Sequence, residues 1–132
     1  MVGAMTYLYI IIGAVGGAPL RYWLQMRVQE TSSTLFPIGT ITVNITGCLV
    51  MGLLAALAEE HDVLNRDARL LLMVGFLGSY TTFSSFGLDT FHLLRDGEVG
   101  QAMANMFISN AAGLLAVWVG FLIVRAAYRV GA

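Results

Sequence analysis

The charges of this chain are confined to a few short segments, and that confinement is what most limits its fold. Met1–Leu20, Thr31–Ala58, Leu70–Leu88 and Val99–Val124 contain no Asp, Glu, Arg or Lys, over runs of 20, 28, 19 and 26 residues. At about 1.5 Å of rise per residue, roughly 20 helical residues cross a hydrocarbon core about 30 Å thick. Inside that core every backbone N–H and C=O needs a partner within the protein, and a helix supplies them from its own segment. Four transmembrane helices are expected, at 4–27, 38–58, 68–94 and 99–127, forming a single all-α domain over residues 1–132. The first run has no basic leading segment and continues through Arg21-Tyr22-Trp23-Leu24, so it reads as a span and not as a cleaved leader.

Composition excludes several other classes. Of 132 residues 58% are apolar and 11% charged, where an ordinary soluble domain carries about 25% charged residues. The seven basic residues, all Arg, meet eight acidic ones for a net charge of −1, which leaves no electrostatic footprint for nucleic acid. One cysteine, Cys48, supports neither a disulfide framework nor a Cys-rich metal site. His61 and His92 stand at helix ends with no second ligand at metal spacing and are read as interfacial. Within the spans there is no Ser/His/Asp or Cys/His set, no carboxylate pair and no phosphate-cradling glycine loop, so an enzyme is not expected.

The charged connectors, Gln29–Thr34, Glu59–Asp67 and Arg95–Glu98, barely orient the chain. With four spans, Arg66, Arg69, Arg125 and Arg129 share one side with the termini, against Arg27 and Arg95 on the other, joined by Arg21 if it reaches an interface. Two readings follow: termini in the cytoplasm, or insertion both ways with antiparallel pairing.

Polar residues inside the apolar runs mark three helices. On the second, Thr40, Asn44, Gly47 and Met51 share a face, where Asn44 either glues two helices or offers its amide donors to an anion. In the third, seven of the ten residues Gly78–Gly87 are Gly, Ser or Thr. Such a run favours a break near Gly78–Thr81, and freed carbonyls at that depth are ready cation ligands. Beyond the break, Phe83 and Phe86 run beside a polar stripe of the hydroxyls of Thr82 and Ser85 and the carboxylate of Asp89. The fourth helix places Asn105, Ser109, Ala112 and Ala116 on one face, and Gly13 and Gly17 of the first permit a close helix approach. Arg21 either snorkels to the headgroups or faces a vestibule. A proton-coupled small-cation exporter with dual topology is the competing class, but it needs a carboxylate at mid-membrane. The first helix here has no acid and the nearest is Asp89. A donor-lined passive path would suit a small anion, and equally water or small polar solutes.

The residues Gly13-x-x-Gly16-Gly17-Ala18-x-Leu20-Arg21-Tyr22, Gly39-Thr40-x-x-Val43-Asn44 and Gly75-Phe76-x-Gly78-x-x-Thr81-Thr82-Phe83-Ser84-Ser85-Phe86 resemble the bacterial fluoride channels of the Fluc/CrcB family, over essentially the whole chain. The resemblance implies an antiparallel, dual-topology homodimer with two pores that export fluoride passively from the cytoplasm through the bacterial inner membrane, in contact with membrane lipid. It implies a structural sodium ion at the dimer centre, held by backbone carbonyls of Gly78 and Thr81. It also implies a fluoride pathway along Asn44, Phe83, Phe86, Ser84, Ser85 and Thr40, with Ser109 or Asn105 on the fourth helix and Arg21 at the vestibule. The chain departs from the usual family pattern at Ala112-Gly113, Val117 and Asp89. Tags on the termini are accordingly expected on both faces of the membrane, and the purified protein is expected to migrate as a dimer. Termini accessible from one face only would contradict the antiparallel arrangement.

Overall fold

A computed structural model describes residues 3–130. All regular structure among them is helical. Helix α1 spans Ala4–Gln29 and α2 spans Ile38–Glu59. The third span, Arg66–Arg95, contains α3 (Arg66–Arg69), a π-helical stretch Leu70–Leu77, α4 (Gly78–Tyr80) and α5 (Phe83–Arg95). Helix α6 spans Val99–Val130. Four helices are long and apolar enough to cross a membrane. They run past the charge-free segments and take in end residues such as Gln29, Arg69 and Arg129, whose long side chains let polar groups leave the apolar span while the backbone stays helical.

The connectors are folded by side chains from the helix ends. Gln29 donates through Nε2 to the Phe36 carbonyl at 3.2 Å and accepts the Gly39 N–H at 3.1 Å. Arg69 donates to the Leu64 and Ala58 carbonyls, and Asn65 caps α3 by accepting the Ala68 N–H at 2.8 Å. Gly97 turns the chain from α5 into α6 at φ +81°, a conformation glycine adopts without a Cβ clash. Just before it, the Arg95 guanidinium lies 2.8 Å from Asp96 and holds that carboxyl below its usual range.

The helices meet through glycine. A Cβ on Gly52 would strike the Val117 carbonyl, and one on Gly120 the Leu49 carbonyl, so α2 and α6 touch backbone to backbone. On the other side Gly13 and Gly17 of α1 face the carbonyls of Leu71 and Phe76, while Gly75 faces that of Ile10. The small apolar centre consists of Val43, Leu77 and Tyr80, flanked by Leu24, Met51, Leu54 and Phe76. Bulky residues such as Ile11, Val15, Tyr22, Phe107 and Leu114 point outwards. Small residues inside and large ones outside is the arrangement expected of a bundle bathed in lipid, where close packing and not water exclusion holds helices together.

The π-helical stretch is a finding with no counterpart in the sequence pattern. Leu70-Leu71-Leu72-Met73-Val74 is apolar on every side, so it carries no periodicity from which a wider turn is legible. The run of small residues predicts a break at Gly78–Thr81. Gly78 is in fact helical, at φ −63° and ψ −29°, and the extended residues are Thr81 and Thr82, with ψ of 157° and 115°.

Backbone contact at Gly52 makes a definite prediction. Gly52→Ala should lower thermal stability in detergent by about 1–3 kcal/mol through overpacking. Gly100→Ala, where a Cβ meets nothing within 4 Å, should be neutral or gain less than about 1 kcal/mol.

Candidate functional site

The third span loses its helical pairing at Thr81–Thr82, and a side chain from α2 replaces it. The Thr81 N–H still reaches the Leu77 carbonyl at 3.0 Å, in helical register. The Thr82 N–H donates instead to Oδ1 of Asn44 at 2.8 Å, and Nδ2 of Asn44 donates to the Thr82 carbonyl at 3.0 Å. The Asn44 amide thus serves one residue as a peptide group would. One of its two amide hydrogens remains. A residue earlier, the Tyr80 hydroxyl lies 2.8 Å from Oγ1 of Thr46, which donates to the Thr42 carbonyl at 2.8 Å and ties the end of α4 to α2.

Thr82 also starts α5. Its Oγ1 accepts the Ser85 N–H at 3.2 Å and donates to Oγ of Ser85 at 3.0 Å. The carbonyls of Gly78, Ser79, Tyr80 and Thr81 thereby lose their helical donors, which would be the N–H groups of Thr82, Phe83, Ser84 and Ser85. The N-terminus of a 13-residue helix opens at this depth, with the positive end of its dipole and unpaired N–H groups.

Beside it lies a cleft of about 260 Å³ between α2, α5 and α6. Its polar walls come from Asn44, Thr81, Thr82, Ser109 and Asn110, its aromatic wall from Phe83 and Phe86, and no charged residue borders it. The two rings are 5.5 Å apart and tilted by 41°, and Phe83 is 82% exposed in the single chain.

Of the sequence-derived pathway residues, Asn44, Phe83, Phe86 and Ser109 therefore meet in one place. The others lie around it. Ser84 is exposed with Oγ 3.3 Å from Oγ1 of Thr82, and Ser85 is half-buried against the same threonine. Asn105 is fully buried and donates to Oγ1 of Thr90 at 2.9 Å, while accepting the Ser109 hydroxyl at 3.2 Å. Thr40 is buried in a second polar chain, accepting from Gln25 at 3.0 Å and donating to Asp89 at 2.7 Å. Arg21 is half-buried away from the cleft, with no ion pair among the described residues. Gly78 is exposed on the surface of the chain, and Thr81 borders the cleft.

Thr90, Gln25, Cys48 and Asn110 also belong to these walls and chains. Asn110 had a signal, being a second asparagine in a charge-free run, but it lies off the Asn105–Ser109 face. Thr90 and Gln25 sit where their helices read as ends, so only their neighbours reveal them.

The chain matches the family described as CrcB-like protein, Camphor Resistance (CrcB), over residues 8–121. It is 40% identical over 121 residues to the protein of Methylocella silvestris named fluoride-specific ion channel FluC, covering 90% of this chain and 92% of that one. The protein of that name from Methylobacillus flagellatus is 46% identical over 111 residues, which is 84% of this chain and 80% of the relative. That of Solibacter usitatus is 41% identical over 121 residues, or 92% and 99%.

Asn44→Leu keeps the side-chain size but orphans the N–H of Thr82 and leaves its C=O with only the helical donor of α5. It should lower stability by about 1–3 kcal/mol and make the amides of Thr82–Ser85 exchange faster than those of α2. Thermal unfolding and hydrogen exchange in detergent read both effects.

Proposed function

The chain belongs to the CrcB-like family, and from that premise we propose that it is a passive, fluoride-selective channel of a bacterial inner membrane. The observation that carries this reading is the uncharged cleft at the α5 N-terminus, lined by the Asn44 amide and the Phe83 and Phe86 rings. Relatives sharing most of its length bear the name of a fluoride-specific ion channel.

Each wall suits a small, strongly hydrated anion. The amide N–H and the helix N-terminus replace water donors, and the positive edges of the two rings complement them. Without a cation at the cleft the anion is held loosely enough to leave, as conduction requires. Asp89 lies outside the cleft under the Thr40 hydroxyl, so no carboxylate there couples ion movement to protons. Direction follows from acid–base chemistry. Hydrogen fluoride crosses the bilayer unaided and dissociates in the more alkaline cytoplasm, and a voltage negative inside drives the trapped anion out.

In the same reading two copies pair antiparallel and bring Gly78 and Thr81 together at their interface. Their carbonyls, relieved of helical donors, fit a hard cation such as sodium. Such an ion would satisfy buried oxygens and tie the copies together, and it takes no part in moving fluoride.

Efflux from liposomes holding only this protein tests the proposal. Fluoride should leave rapidly, chloride barely, and neither should depend on a proton gradient. Phe83→Ile and Phe86→Ile should each lower fluoride efflux by up to about tenfold with assembly unchanged. Comparable chloride flux, or a requirement for counter-moving protons, would reject it.

A further inference from the structure

The hydroxyls that border the cleft have little to offer an anion, because their protons are already engaged. Thr81 donates to the Leu77 carbonyl at 3.0 Å, Thr82 to Ser85 at 3.0 Å, and Ser109 to Asn105 at 3.2 Å. The two amides that border it differ. Each has one N–H held by a backbone carbonyl, Asn44 by Thr82 at 3.0 Å and Asn110 by Met106 at 2.6 Å. Each keeps a second N–H with no acceptor among the described residues.

Among the described residues the one side-chain hydrogen bond of Asn110 is to the Met106 carbonyl, one turn back on its own helix. Eleven residues into α6, it lies about 16 Å along the axis, close to mid-depth in a core about 30 Å thick. It is exposed in the single chain, on a stripe between Phe107 and Leu114, which are 74% and 75% exposed. An amide facing hydrocarbon there is unfavourable, whereas an amide facing a polar path is not. Further along α6 the cleft wall is Val117, which offers no donor.

We propose that Asn110 is a second anion-contacting amide of the pathway, presenting its free N–H across the cleft from Asn44 and supplying the donor that the engaged Ser109 hydroxyl does not. This rests on the channel reading above and adds a specificity-determining residue to it. A pair of amide donors fixed by backbone carbonyls favours fluoride over chloride, since the larger ion needs the donors to spread.

Asn110→Leu removes both hydrogens at nearly the same volume. In the liposome assay it should lower fluoride efflux roughly ten- to a hundredfold, the worth of one hydrogen bond to a charged group. It should also reduce the fluoride-to-chloride ratio, a readout that loosened packing alone would not move in that direction. Ser109→Ala should lose less than Asn110→Leu. If the leucine variant fails to assemble like the wild type, Asn110→Ala carries the same expectations. Wild-type efflux matched by the Asn110 variants, or a larger loss in Ser109→Ala, overturns this proposal and leaves the channel reading standing. Absence of fluoride efflux from the wild type removes both.

Discussion

The Thr82 N–H has no helical acceptor, and the Asn44 side chain supplies one while also donating to the Thr82 carbonyl, from which α5 starts. A polar group buried without a partner costs several kcal/mol in hydrocarbon, so a helix interrupted there survives only if something answers the freed N–H. Asparagine can do so because its amide presents a donor and an acceptor in the spacing of a peptide. Once this clamp is in place, much else follows from it. Helix α5 begins at a fixed depth, its first turn carries Phe83 and Phe86 to the edge of the cleft, and the Gly78 and Thr81 carbonyls are released from helical pairing.

The glycine contacts make the clamp possible. Asn44 reaches the third span because that span is pressed against α1 at Gly13, Gly17 and Gly75, and because Gly47 leaves room for the Thr81 methyl and the Tyr80 ring. The Tyr80–Thr46 bond then holds the end of α4 from the other direction. Helix α6 is fixed separately, by Gly52 and Gly120 against α2, and the gap between these two packed units is the cleft. Many large apolar residues are turned outwards, so the interior is built mostly of small side chains, with a small apolar centre and the polar Thr40, Thr82, Thr90 and Asn105 buried beside it.

The electrostatics of the cleft are those of dipoles and not of charges. At an effective dielectric of about 20, a full charge 4 Å away contributes about 4 kcal/mol, enough to trap a permeating ion. Amide N–H groups, a helix N-terminus and ring edges each contribute less and can be summed to match lost hydration without exceeding it. Arg21 and Asp89, the charged residues closest to the middle of their spans, both lie off the cleft.

That there are four apolar helices long enough to span was legible in the sequence, because the cost of carrying a charge into hydrocarbon keeps Asp, Glu and Arg out of a long run in each, whatever the tertiary packing. Asn44, Phe83, Phe86 and Ser109 were legible as candidates because polar and aromatic residues at helical spacing are conspicuous in an apolar run. What each of them touches was decided by tertiary structure. Helical spacing places Asn44 on a face but cannot say that its partner is the Thr82 backbone, 38 residues away. Nor can it place Asn110 beside the cleft, put the buried Asn105 behind it, or reveal the wide turns of Leu70–Leu77. Composition records which groups must be kept from lipid. Only packing between helices, close enough here for backbone to meet backbone, determines which partner satisfies them.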